Sequence, residues 1–127
     1  MLTKCKGNFI LLKQYRHAPR QEQYSFPRGF AEPEYTPAEN ACRELKEELQ
    51  AIITKPPVLL GRVISDSGLT STKVYIFAVE IDSYTFDATI HEGIEEIIEV
   101  PEKEMDSWIK NNRITDGFSL SAYALNQ

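Results

Sequence analysis

Hydrophobic residues along this chain fall into short runs separated by polar, turn-forming stretches, and one longer segment keeps a helical period. Asn8–Tyr15 (NFILLKQY) is an apolar run of strand length. Val58–Ile64 (VLLGRVI) and Val74–Ile81 (VYIFAVEI) are rich in β-branched and aromatic residues, which favour strands. Tyr24–Phe26 reads as a short extended piece entering Pro27-Arg28-Gly29, and Ile94–Val100 (IEEIIEV) is a mixed segment closed by Pro101. Arg16–Gln23, polar with one proline, and Ser65–Thr72 (SDSGLTST) carry turn formers and predict loops. Pro101–Lys110 and Asp116–Leu125 predict helices, the first opening on proline and acidic residues that suit a helix N-terminus. Strands alternate with helices, and neither a repeat nor a linker divides the chain, so residues 1–127 predict a single domain.

The strongest signal is Thr36-Pro37-Ala38-Glu39: an N-cap threonine, a proline at the first helical position and a glutamate at the third. That is a capping box, and the spacing predicts a helix from Pro37 to Leu49 or Gln50. At roughly 100° per residue, Ala38, Ala41, Cys42, Leu45, Leu49 and Ile52 share one arc. Glu44, Glu47 and Glu48 share another, centred about 120° away. The apolar face can pack while three carboxylates point to one side. Like charges three and four residues apart cost a helix a few tenths of a kcal/mol, roughly, per pair. The cluster therefore asks for a cation: Arg43, four residues before Glu47, or a divalent ion held by oxygen ligands. Alone, such a run reads more plainly as a solvated acidic face.

Composition narrows the functions. The 127 residues are 42% hydrophobic and 26% charged, ordinary for a globular domain and unlike collagen or a disordered segment. No apolar run approaches the ~18 residues of a membrane span. The net charge of −5 argues against a nucleic-acid backbone binder. An acidic protein that binds a phosphorylated small molecule needs local cations, such as metal ions. Cys5 and Cys42 show no paired spacing, which points to a reduced, cytoplasmic setting.

Arg43-Glu44-Leu45-Lys46-Glu47-Glu48 follows Gly29 by fourteen residues. With each charged type near ~6% of residues, those four charges arise by chance at ~10⁻³ over such a chain. The sequence resembles the Nudix hydrolase family, whose signature is Gly, five residues, Glu, seven residues, then Arg-Glu-aliphatic-x-Glu-Glu-x-Gly-aliphatic. Gly29, Arg43, Glu44, Leu45, Glu47 and Glu48 match in register. Tyr35 stands at the first glutamate of the signature, beside Glu34. Gln50 stands at the late glycine, where it either adopts a left-handed conformation or lets the helix run on. Ala51 replaces the last aliphatic, and Ser25 stands where many ADP-ribose-type relatives carry glutamate. Gln14-Tyr15-Arg16, the glycine-containing Ser67–Ser71 stretch and Ile114-Thr115-Asp116-Gly117 with Ser119 resemble the ADP-ribose pyrophosphatase branch in order and spacing.

The resemblance implies an α+β protein, a Nudix-like α/β/α sandwich with a mixed β-sheet. Because Met1 stands close to the Asn8 strand, it also implies a minimal or N-terminally shortened version, and family habit implies a homodimer. The implied activity is hydrolysis of a nucleoside diphosphate linked to another moiety, such as ADP-ribose, with Mg²⁺ or Mn²⁺. Glu44, Glu47 and Glu48 are the implied metal ligands, joined by the backbone carbonyl near Arg28 or Gly29. Arg43 orients a glutamate. The base that activates water is Glu44, or a glutamate of the later segment: Glu92, Glu95 or Glu96. Arg16 and Arg28 are candidates to face phosphates. Tyr15, Tyr24 and Phe30 are candidates to stack on a base, each with a core role as the plainer alternative. His17, His91 and Cys42 read as incidental. Two other functions stay open: hydrolysis of a nucleoside triphosphate or dinucleoside polyphosphate, and a catalytically silent nucleotide-binding module. No nucleic-acid or membrane partner is expected.

Overall fold

The strand Asn8–Arg16 (β2) is apolar at four consecutive positions because both of its faces are covered. Phe9 and Leu11 pack to one side with Val100, Met105, Ile114 and Ala122. Ile10 and Leu12 pack to the other with Ala41, Leu45 and Leu49. The computed structural model describes residues 1–16, 21–29, 32–64, 73–89 and 93–127. In it a seven-stranded sheet lies between helix α1 (Pro37–Leu49) on one face and helices α2 (Met105–Lys110) and α3 (Gly117–Leu125) on the other. The fold is α+β, an α/β/α sandwich as expected.

Strand β1 (Leu2–Cys5) sits at the sheet centre, antiparallel to β2 and parallel to β6 (Lys73–Ser83). Strands β4 (Ile52–Ile53) and β5 (Val58–Ile64) pair antiparallel with β6. Strands β3 (Gln21–Ser25) and β7 (Ile94–Pro101) pair antiparallel with β2, so the single parallel ladder makes the sheet mixed.

Several boundaries differ from the sequence pattern. β1 has four residues and too little alternation to register as a strand. Its signal is the Lys6-Gly7 pair, with φ of 51° and 83°, the two left-handed residues of a tight hairpin turn. β3 begins at Gln21, inside the stretch that reads as a loop, because Gln21–Ser25 bond residue for residue to Leu12–Arg16. Ladder hydrogen bonds there outweigh polar composition. The Pro101–Lys110 segment divides into a 3₁₀ turn at Glu102–Glu104 and then α2. The Ser65–Thr72 segment lies outside the described residues.

α1 follows its pattern closely. Thr36 Oγ1 accepts from the Glu39 N–H at 3.2 Å, and Glu39 Oε1 accepts from the Thr36 N–H at 2.9 Å. Ala41, Leu45 and Leu49 are buried, whereas Ile52 leaves the helical arc, is exposed and joins β4. The helix stops because Gln50 turns left-handed at φ 46°, ψ 40°, with its N–H bonded to the Lys46 carbonyl. A non-glycine residue there costs about 1 kcal/mol. Gln50→Gly should therefore raise the melting temperature by about 2–4 °C, measured by thermal denaturation. A lowered melting temperature would show that the Thr85–Gln50 side-chain bond outweighs the backbone strain.

Candidate active site

A cleft of about 740 Å³ opens where the segment following β3, the outer turn of α1, the start of α3 and β6 meet. Glu44, Asn40 and Gly29 line one part of it; Lys73, Tyr75 and Phe118 line another. Glu44 reaches the cleft because its apolar neighbour Leu45 is buried in the core, which turns the next helical position toward the loop. Gly29 lies against it. A Cβ added at Gly29 would overlap Glu44 Cγ and Cδ and come within 2.7 Å of Oε2. Only glycine leaves room for the carboxylate.

Arg43 organises the acidic face. Its guanidinium donates to Glu47 Oε1 at 3.0 Å, Glu44 Oε1 at 3.1 Å and Asn40 Oδ1 at 3.3 Å. Glu32 Oε1 lies 3.9 Å away, and the Tyr35 ring centroid is 5.3 Å from the guanidinium carbon. The aromatic residue at the signature's first glutamate thus stacks on the arginine. Asn40, buried mid-helix, was not picked out by sequence reasoning. Its amide accepts from the Glu32 N–H and donates to the Glu32 and Tyr35 carbonyls, holding the approach loop onto α1. Its signal is an asparagine inside a helix, where it normally lowers stability.

The three helix carboxylates differ in environment. Glu44 is 16% exposed and Glu47 59%, the latter turned outward to Arg43. Burial pushes the Glu44 carboxyl above its usual range, opposed by Arg43. Burial, with Glu44 adding to it, pushes Glu48 up to about 7. Glu48 Oε2 is buried and has no hydrogen-bond partner among the described residues. Among those residues, no three His, Cys, Asp or Glu side chains stand close enough to hold one ion as they are. The donor set nonetheless suits a hard divalent cation. All the donors are oxygens, and one of them is orphaned among the described residues. Glu44, Glu47 and Glu48 are the residues that could hold such an ion.

The other expected site residues are only partly assembled here. Arg28 lines the cleft with Gly29, its guanidinium 3.9 Å from Asp116. Glu95 and Glu96 sit 3.8 and 3.4 Å from Lys13 Nζ. Lys13 alternates with Leu12, which packs under α1, so these two glutamates gather on the opposite sheet face, away from Glu44. Neither Glu95 nor Glu96 is among the residues that line the cleft. A bulge between Lys13 and Gln14 sets that geometry, and the sequence pattern does not reveal it. Glu92, His17, His91 and Phe30 lie outside the described residues, as does the side chain of Arg16. Tyr24 packs edge-on against Trp108 in the core on the α2 side. Cys42 is a free thiol, and so is the buried Cys5.

The sequence model of the NUDIX domain matches residues 1–117. The chain belongs to the NUDIX domain family. Among solved structures, this Nudix chain is similar to an ADP compounds hydrolase, with a TM-score of 0.82 and 19% identity. That likeness covers 98% of this chain and 66% of the other, so the chain spans slightly less than two thirds of that protein. It is also similar to a NUDIX hydrolase from Nitrosomonas europaea, with a TM-score of 0.68 and 18% identity, over 98% of this chain and 83% of that one. Its fold is that of a Nudix hydrolase. No curated protein matches the sequence. Among the described residues, no helix is long and apolar enough to cross a membrane.

Two outcomes test this site. Gly29→Ala should lower turnover about 10²-fold by displacing the Glu44 carboxylate, while the melting temperature moves by less than about 2 °C. Full turnover would show that Glu44 need not stand where it does. The second concerns pH in the metal-free protein. The folded chain holds the Glu48 proton up to about pH 7, whereas the unfolded chain releases it near the ordinary value of 4.5. The folded state therefore carries the extra proton between those limits, and the Glu48 contribution to stability falls as pH rises through them. After allowance for solvent screening, Glu48→Gln should stabilise the metal-free protein by about 1–2 kcal/mol at pH 7.5 and by almost nothing near pH 4.5. Thermal melts at the two pH values measure it, and an equal effect at both would refute the cause given.

Proposed function

We propose that this Nudix protein is a metal-dependent pyrophosphohydrolase. Its substrate is a nucleoside diphosphate linked to another moiety, most readily a nucleoside diphosphate sugar such as ADP-ribose, cleaved to nucleoside monophosphate and sugar phosphate. The observation that carries this is the pairing of Glu44, which lines a cleft of nucleotide size, with Glu48 one turn beyond it, whose buried oxygen has no hydrogen-bond partner among the described residues. Burying a carboxylate without a partner is costly, and a divalent cation from solution offsets that cost. Bound there, Mg²⁺ or Mn²⁺ would neutralise the pyrophosphate charge and lower the pKa of a water.

The chain's own residues then have separate tasks. Glu44, Glu47 and Glu48 bind the ion, with the Arg28 backbone carbonyl as a further ligand. Arg43 keeps Glu44 and Glu47 oriented through its paired donors. Arg28 and Lys73 supply positive charge to an otherwise acidic molecule where the phosphates would lie. Tyr75 and Phe118 offer aromatic faces to a base. Of the described carboxylates that line the cleft, Glu44, against Gly29, is our choice to take a proton from water, and Glu92 is the alternative carried by the later segment. The ADP compounds hydrolase likeness supports the sugar-nucleotide substrate over a triphosphate, as do the Gln14-Tyr15-Arg16 and Ile114–Gly117 resemblances. The outward turn of Glu47 and the tyrosine on Arg43 favour one second reading, a module that binds a nucleotide without hydrolysing it. We further propose a cytoplasmic protein that works as a homodimer.

A substrate panel with Mg²⁺ and with Mn²⁺, products identified by mass, decides among these. ADP-ribose should yield AMP and ribose phosphate, and Glu47→Gln should reduce turnover about 10- to 100-fold. Release of inorganic pyrophosphate from triphosphates alone would replace the substrate. Nucleotide binding without metal-dependent turnover would replace the enzyme with the silent module.

A further inference from the structure

The start of α3 is wired to the loop that carries Gly29. Strand β3 ends at Ser25, so the buried N–H of Phe26 has no ladder partner; it donates to Ser119 Oγ at 2.9 Å. The Ser119 hydroxyl and N–H in turn donate to Asp116 Oδ2, at 2.8 and 3.0 Å. The other oxygen, Oδ1, stands 3.9 Å from the Arg28 guanidinium, which lies over the Phe118 ring at 5.4 Å. Asp116 and Ser119 are both buried. An N-cap aspartate needs only its own helix and usually faces water. Here one carboxylate caps the helix, orients a hydroxyl that holds a different segment, and faces a cleft arginine. Three residues beyond Phe26, Gly29 meets Glu44.

We propose that Asp116 and Ser119 are positioning residues for the hydrolytic site: the first turn of α3 clamps Phe26–Gly29, setting where the loop meets Glu44 and where the Arg28 guanidinium stands. The clamp has two arms. The Oδ2 arm acts through the Ser119 hydroxyl on the loop backbone, hence on the metal side of the site. The Oδ1 arm acts on the Arg28 side chain, hence on the phosphate side. The clamp rests on the hydrolase reading above, and it gives the two residues separable effects.

Ser119→Ala breaks the first arm. It should raise the Mn²⁺ dissociation constant, read by electron paramagnetic resonance, and lower kcat for ADP-ribose, each about 10- to 100-fold, with KM little changed. Asp116→Asn keeps the cap and the Ser119 bonds but removes the charge opposite Arg28. It should raise KM up to about fivefold and leave Mn²⁺ affinity and kcat near wild type. Tyr123→Phe, on the same helix, removes only the hydroxyl bonded to Asp106 and should change none of these readings. Should Ser119→Ala fail to fold, the KM-only effect of Asp116→Asn carries the test. A wild-type protein that turns nothing over with Mg²⁺ sinks the hydrolase reading itself. A working wild type whose folded variants match it in kcat, KM and Mn²⁺ affinity sinks the clamp alone.

Discussion

The backbone of one glycine and the side chain of one glutamate share a space that admits nothing larger. That close approach of Gly29 to Glu44 ties the three layers together. Helix α1 must start at the capping box and bury Leu45 to present Glu44 at that spot. Strand β3 must end at Ser25 so that the chain can cross from the sheet to the helix. The start of α3 must reach from the opposite face to hold the crossing segment through Phe26. A displacement of any one of these would move a carboxylate that burial already makes harder to ionise.

Charge is the second constraint. Three glutamates within five residues would repel one another on any helix. The protein answers with one arginine whose donors reach Glu44, Glu47 and Asn40, and with an aromatic ring behind it. Glu48 lies beyond that arrangement and keeps an oxygen without a hydrogen-bond partner among the described residues. The acidic face is thus balanced on one side and left open on the other, a distribution that suits a site awaiting a cation.

The sequence made much of this legible. The helix limits, its cap and the buried Ala41, Leu45 and Leu49 follow from spacing, because helix periodicity and capping are local, and the family signature was recognised by resemblance. The central strand β1 was not legible: four residues carry little pattern, and its pairing with β6 depends on residues far along the chain. The side on which Glu95 points was not legible either, since one bulge against β2 decides it. Asn40 and the Asp116–Ser119 pair are polar residues whose burial depends on tertiary packing, so their partners emerge only when distant segments meet. Gln50 stood between two readings, and its left-handed backbone selects one.

The parallel ladder at the sheet centre bears on how the molecule is made. Leu2 lies beside Ala78, so the innermost strand finds one of its neighbours only after most of the polypeptide exists. Until then the β1–β2 hairpin exposes an apolar flank with an unpaired edge. Such long-range closure slows folding and lengthens the life of sticky intermediates. During synthesis, the central strand β1 therefore waits for β6, and its hairpin partner β2 waits longer still for β7.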